Sequence, residues 1–297
     1  MEHREFNDLI YSKIILFGEY SMILDSKALM IPFRRFAAQW CYGTPDNEAV
    51  VNSQKSILSI ADYIEKDDEL SELIDTNGIK ADIKQGLYLR SDIPLGYGLG
   101  SSGALVAALW QCYAKSQIAD FMELKRVFGR MESFFHGSSS GIDPLQCYIG
   151  RPFMISGEGV SILPDDFISP DIKIGLADTR TKSPTGPLVR HFKEILCDKA
   201  YHDRFSGEYL PCMARCFDTV GEGGRAFFES LKRLSQLQAG LFGPMLTPST
   251  RHLFTTEFGF NFGAKILGSG GGGFVLFFTD DTRLASNLLS DFDVIWL

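Results

Sequence analysis

The chain has 297 residues, 45% apolar and 22% charged, with 29 Lys and Arg against 37 Asp and Glu for a net charge of −8. That length supplies core for one large domain or two ordinary ones, and the acidic balance argues against broad nucleic-acid binding while leaving room for a local basic site that holds an acidic small molecule. No apolar run approaches the roughly 20 residues that span a bilayer, Glu2, Arg4, Glu5 and Asp8 are unlike a signal peptide, and the expectation is a cytoplasmic protein.

In chain order, Ser12 to Phe17 is a short apolar run closed by Gly18, which predicts a buried strand. Lys13 within it either snorkels to solvent or is paired and used, and Glu19 and Tyr20 follow directly. Strands are expected over Ala28 to Pro32 and Arg35 to Tyr42. A helix is expected from Ser53 to Glu65, with Ile57, Ile60, Ala61 and Ile64 on one face, and a further strand over Leu87 to Ile93. That strand feeds Pro94 to Leu105, where Gly96, Gly98, Gly100 and Gly103 permit positive φ and close approach of a ligand. The loop opens into the strong helix former Ala104 to Trp110, so its amides would lie at a helix N-terminus, where an anion such as phosphate is favoured. A tight strand-to-helix connection is the plain alternative. The dinucleotide fingerprint, which Gly98, Gly100 and Gly103 also satisfy, requires a second strand ending in an acid about 20 residues on, whereas Lys115 to Phe135 reads as helical. Gly103 is followed by Ala104 rather than a lysine, so a cation must come from elsewhere in the chain.

A helix over Phe121 to Phe135 ends beside His136, which suits a helix C-terminus. Gly137 to Pro144 is polar and turn-rich, and its Asp143 reads either as a helix N-cap or as a general base held at a helix start. Glycine and proline recur around Gly157 to Pro170, which sets an expected boundary between domains at 1–165 and 166–297. A strand over Ile172 to Ala177 leads into Asp178 to Thr185, basic and rich in hydroxyls, and Pro187 to Phe258 reads as largely helical. Two strands, Ala264 to Leu267 and Gly273 to Phe278, flank a glycine-rich loop that on its own reads as a hairpin turn. Six scattered cysteines without a Cys-x-x-Cys pair read as reduced thiols, and Cys212 and Cys216, one helical turn apart, lack the histidines a shared metal would want.

Together these stretches resemble the GHMP kinases, the superfamily of galactokinase, homoserine kinase, mevalonate kinase and phosphomevalonate kinase. Lys13 to Tyr20 looks like the first motif of that superfamily, Pro94 to Ala104 like the second and Lys265 to Phe274 like the third. The resemblance implies an α+β, two-domain fold, with a ribosomal protein S5 domain 2-like N-terminal domain and a ferredoxin-like C-terminal domain. Mevalonate kinases match best within it. Phe135 to Asp143 resembles their His-Gly-x-x-Ser-Gly-Val/Ile-Asp segment, Glu132 stands where they place a magnesium-binding glutamate, and Asp178 to Val189 resembles their threonine loop through Thr179 and Thr185.

The resemblance implies an ATP-dependent phosphotransferase with an alcohol acceptor, ATP and Mg2+ as cofactors, and a place in isoprenoid precursor synthesis. ATP phosphates are then expected on Gly96, Gly98, Leu99, Gly100, Ser101, Ser102 and Gly103, and magnesium on Ser102 and Glu132, with Ser101 the fallback serine. Asp143 is the expected base and Lys13 the missing cation. The acceptor is expected against Lys13, Glu19, Tyr20, His136, Asp143, Thr185 and Gly270. The sequence departs from the pattern at Tyr20, where mevalonate kinases usually carry histidine and phosphomevalonate kinases commonly tyrosine, across Ser21 to Ser26, and at Ser269, where alanine is usual. The alternatives are a phosphomevalonate or sugar kinase, with Arg180 and Lys182 available for a substrate phosphate, and a non-catalytic ligand-binding sensor of this fold. The expected partner is a small-molecule substrate, with no nucleic acid, no membrane, and a homodimer left open.

Overall fold

Strand β1 (Ile10–Phe17) buries Ile14, Leu16 and Phe17, as the apolar run requires. The computed structural model describes residues 8–24, 26–183, 185–255 and 261–297. The acidic and basic residues among 1–7, Asp25 and the expected helical residues 256–258 lie outside them. Strand β2 (Ala28–Tyr42) is continuous, where two strands were expected. Its Pro32 falls between Ala28–Met30, which pairs with β4 (Phe153–Ser156), and Ala38–Tyr42, which pairs with β3 (Leu87–Ser91), so neither ladder needs the missing N–H.

The described residues group into two compact units that alternate along the sequence: 8–13, Pro32–Pro94 and Gly100–Gly150 in one, Ile14–Ile31, Leu95–Leu99 and Arg151–Leu297 in the other. The first unit holds α1 (Glu48–Glu65), α2 (Asp68–Leu73), α3 (Thr76–Lys84), α4 (Ser101–Tyr113), α5 (Phe121–His136) and α6 (Ile142–Ile149). Helix α1 starts before the expected Ser53 because Asn47 caps it, accepting from the Ala49 N–H. Helices α2 and α3, not anticipated, are short and start at the caps Asp67 and Asp75. Helix α4 is buried without a break from Gly103 to Trp110, as a helix that is apolar on all sides must be, and Trp110 meets Phe128 of α5 edge-on at 5.6 Å.

The second unit contains the hairpin of β4 and β5 (Gly159–Ile162), followed by β6 (Lys173–Asp178). Helices α7 (Thr185–Ile195) and α8 (Lys199–Arg204) then lead through a π-helical turn at Phe205–Tyr209 into α9 (Leu210–Thr219), α10 (Gly224–Leu241) and α11 (His252–Thr255). Strands β7 (Phe262–Ile266) and β8 (Phe274–Thr279), α12 (Thr282–Leu288) and β9 (Asp293–Trp296) complete it. The sheet order β7-β8-β6-β9, with every pair antiparallel and the connection βαββαβ, is the ferredoxin-like arrangement. Its edge strand β7 is covered by α10, where Gln238 accepts from the Ile266 N–H at 2.9 Å and Ser235 donates to the Ala264 carbonyl at 2.5 Å.

Candidate active site

In the first unit, α1, α2, α3 and α5 each begin at an Asn or Asp whose side chain accepts from first-turn amides. Helices α4 and α6 do not. Both start at a left-handed glycine, Gly100 and Gly141, with no side-chain cap. The first-turn amides of α4, at Ser101, Ser102 and Gly103, therefore keep the donor capacity and positive end of the dipole that an anion seeks. Asp143 lies in the first turn of α6, so it is not the N-cap; its Oδ2 is 2.9 Å from Lys13 Nζ. Lys13, at 1% exposure, is paired rather than snorkelled, and Asp143 keeps 29% of its side chain open.

Two glycines make this pairing possible. A Cβ on Gly100, where φ is +76°, would lie 2.8 Å from the Lys13 side chain, and one on Gly103 would lie 2.8 Å from the Pro144 nitrogen and 3.2 Å from Asp143 Cβ. Larger residues would push Lys13 or α6 away from the start of α4.

Beside this pair, Glu132 is 3% exposed on α5. Its Oε1 accepts from Ser102 Oγ at 2.8 Å and its Oε2 from Ser139 Oγ at 2.5 Å. Burial, and then the charge of Asp143, push the Glu132 carboxyl up to about 7, against the pull of both serines. His136 ends α5 with Nε2 3.2 Å from Ser102 Oγ; burial lowers it below its ordinary value while Asp143 pulls the other way. Ser102 and Glu132 fit a hard cation: the donors are all oxygen, they are few, as suits an ion that keeps several waters, and the buried carboxyl bears a cost that a cation would relieve. Ser101 opens α4 without entering this cluster.

The other expected residues lie in the second unit. Gly96 and Gly98 have left-handed backbones, Leu99 is buried, and the Gly96 carbonyl accepts from the Ser183 N–H at 2.8 Å. Glu19 is buried and bonded to Lys265 of β7, whose Nζ also donates to the Ile266 carbonyl at 2.7 Å. Tyr20, at φ +63°, stacks on Phe242, packs tilted against Phe192 and donates its hydroxyl to the Ser269 carbonyl at 2.8 Å. Burial, then the Glu19 charge, raises its phenol. Thr185 Oγ1 accepts from Ser269 Oγ at 3.3 Å, and Gly270 turns with φ +69°. Sequence reasoning missed Lys265, Ser139 and Ser183 as structural partners of these residues. Lys265 carries a readable signal, since a lone lysine in an apolar strand repeats the pattern of Lys13; the serines sit in turn-rich stretches where any of several hydroxyls fits.

Residues 56–151 match the family model of the GHMP kinases N terminal domain. The mevalonate kinase of Thermococcus gammatolerans is 27% identical over 293 residues, covering 88% of this chain and 85% of that protein. The crystal structure of Methanococcus jannaschii mevalonate kinase superposes with a TM-score of 0.64 at 18% identity over 97% of this chain and 96% of its own. Streptococcus pneumoniae phosphomevalonate kinase, solved in complex with phosphomevalonate and AMPPNP, gives 0.64 at 14% identity over 99% and 100%. Residues 56–151 thus match the N-terminal domain of the GHMP kinases, and the chain has the GHMP kinase fold, as the three motifs implied. Its relatives here are kinases, with mevalonate kinase matched in both sequence and structure. No helix among the described residues is long and apolar enough to cross a membrane.

Proposed function

We propose that this protein is an ATP-dependent kinase that phosphorylates the primary hydroxyl of mevalonate. The observation that carries the reading is the ion pair of a buried lysine, Lys13, with a partly open aspartate, Asp143, at a helix start packed against the uncapped N-terminus of α4. Phosphoryl transfer asks for positioning and charge neutralisation more than for covalent chemistry. In this reading Asp143 accepts the proton of the attacking hydroxyl, and Lys13 offsets charge on the transferred group. The amides of Gly100 to Gly103 hold nucleotide phosphate, with Gly96, Gly98 and Leu99 forming the leading half of the same loop. Ser102 and Glu132 would hold magnesium, which supplies neutralisation of the phosphate oxygens when bound. In this reading residues 1–165 form the domain with the phosphate loop and base, which also holds the acceptor candidates Glu19, Tyr20 and His136, and residues 166–297 form the domain with the candidates Thr185 and Gly270.

Phosphomevalonate is the second reading, favoured by tyrosine at position 20. Arg180, one of two cations expected for an acceptor phosphate, is instead bonded to Asp293 at 3.0 Å, which favours the unphosphorylated acceptor. A coupled assay of ADP release with ATP and Mg2+ against mevalonate, phosphomevalonate and a panel of sugars tests this. Saturable turnover on mevalonate alone is expected. Turnover on another member only would reassign the acceptor, and silence on all would favour the non-catalytic sensor.

A further inference from the structure

Gly129 and Glu132 stand one turn apart on α5 and share a face of that helix. Against this face lies the turn of residues 137–141, and two glycines let it reach the helix backbone. A Cβ on Gly129 would lie 3.0 Å from the Ser139 carbonyl, and one on Gly141 only 1.9 Å from the Lys125 carbonyl. Ser139 is therefore held beside Glu132. In the segment that resembles the mevalonate kinases it falls on an unspecified position, so the resemblance assigns it no role.

A hydroxyl has one proton to give, and here each proton has a single destination. Ser139 Oγ donates to Glu132 Oε2 at 2.5 Å and accepts from the Gly141 N–H at 3.0 Å. Ser102 Oγ donates to Glu132 Oε1 at 2.8 Å, which leaves it an acceptor toward His136 Nε2 at 3.2 Å. The two carboxylate oxygens thus have different partners. Oε1 faces Ser102 at the uncapped start of α4, and Oε2 faces a serine that the glycine opening α6 holds in place. A cation held by Ser102 and Glu132 would replace the first bond and leave the second. We infer, resting on the kinase reading above, that Ser139 is a positioning residue that makes Glu132 a one-oxygen ligand and so selects magnesium over the larger calcium ion. Magnesium demands octahedral geometry with few protein ligands, whereas calcium takes about six to eight oxygens and accommodates a carboxylate through both of its own. With Ser139 on Oε2, the second oxygen is withheld.

Affinity for a non-hydrolysable ATP analogue, measured by calorimetry in saturating Mg2+, in saturating Ca2+ and in a chelator, tests this without turnover. The wild-type protein should bind the analogue at least about tenfold tighter with Mg2+ than with Ca2+. That ratio is read whether or not any variant folds. Ser139→Ala should weaken the Mg2+ value about tenfold, as loss of one oriented hydrogen bond to a charged group does, and hold the Ca2+ value within about twofold because both oxygens become available. Ser139→Thr, which keeps the hydroxyl, should restore the wild-type ratio, and the chelator value should be the same in all three proteins. A wild-type ratio near one, an unchanged ratio in Ser139→Ala, or equal losses with both cations would overturn the inference while leaving the kinase reading intact. Analogue binding that no cation strengthens in the wild type would instead remove the magnesium site of that reading, and this inference with it.

Discussion

Glu132 carries a cost of burial that a bound cation would offset. A carboxyl with an ordinary value of 4.5 is raised to about 7 by burial and by the Asp143 charge. Between those two values the folded protein binds more protons at this site than the unfolded chain does, so the residue's contribution to stability falls as pH rises from about 4.5 to about 7 and stays low above that. The window is worth about 1.4 kcal/mol per pH unit. Without added metal, Glu132→Gln should therefore unfold at a higher temperature than wild type at pH 8, with the gap closing toward pH 4.5, measured by thermal denaturation in a chelator. A gap independent of pH would contradict the account. Lys13 and Asp143 were legible from the sequence as a lysine in an apolar strand and an acid at a helix start. Each kept a bland reading because distance decides it, and pairing across the fold is not written in local pattern.

At the scale of elements, the ends of helices divide by task. Asn and Asp caps close the starts of α1, α2, α3 and α5, the last of which carries Glu132 toward its other end, and glycines open the two that carry Ser102 and Asp143 in their first turns. Glycine spacing made the start of α4 visible in the sequence. The short helices α2 and α3 escaped because six and nine residues give too little periodicity, and Pro32 split a strand that the ladders leave whole. In the second unit β7 is tied to Glu19 by Lys265, a buried ion pair whose rupture leaves a charge without its counterion. Lys265→Met should destabilise by about 3–5 kcal/mol, read from chemical denaturation, and adding Glu19→Gln should recover part of the loss. A single mutant within 1 kcal/mol of wild type, roughly the worth of an exposed pair, would show that the pair is not isolated from water.

For the molecule as a whole, the α+β character and the ferredoxin-like sheet were implied by the family resemblance that the three motifs carry. The alternation of the two units was not. Composition marks a change near Gly157 to Pro170, but the short stretch Leu95–Leu99 belongs by its contacts with the far end of the chain: Gly96 with Ser183, Gly98 with Leu267, and Tyr97 with Gly273 and Phe274. Such returns depend on which surfaces fit, and no local signal encodes them. The proposed role of Asp143, taking the proton of the acceptor hydroxyl, is tested by assaying Asp143→Asn for turnover and for binding of a non-hydrolysable ATP analogue. A fall in kcat of at least about 100-fold is expected, in the range general-base loss produces, with nucleotide affinity within about threefold of wild type. An Asp143→Asn protein that turns over at near the wild-type rate would contradict it.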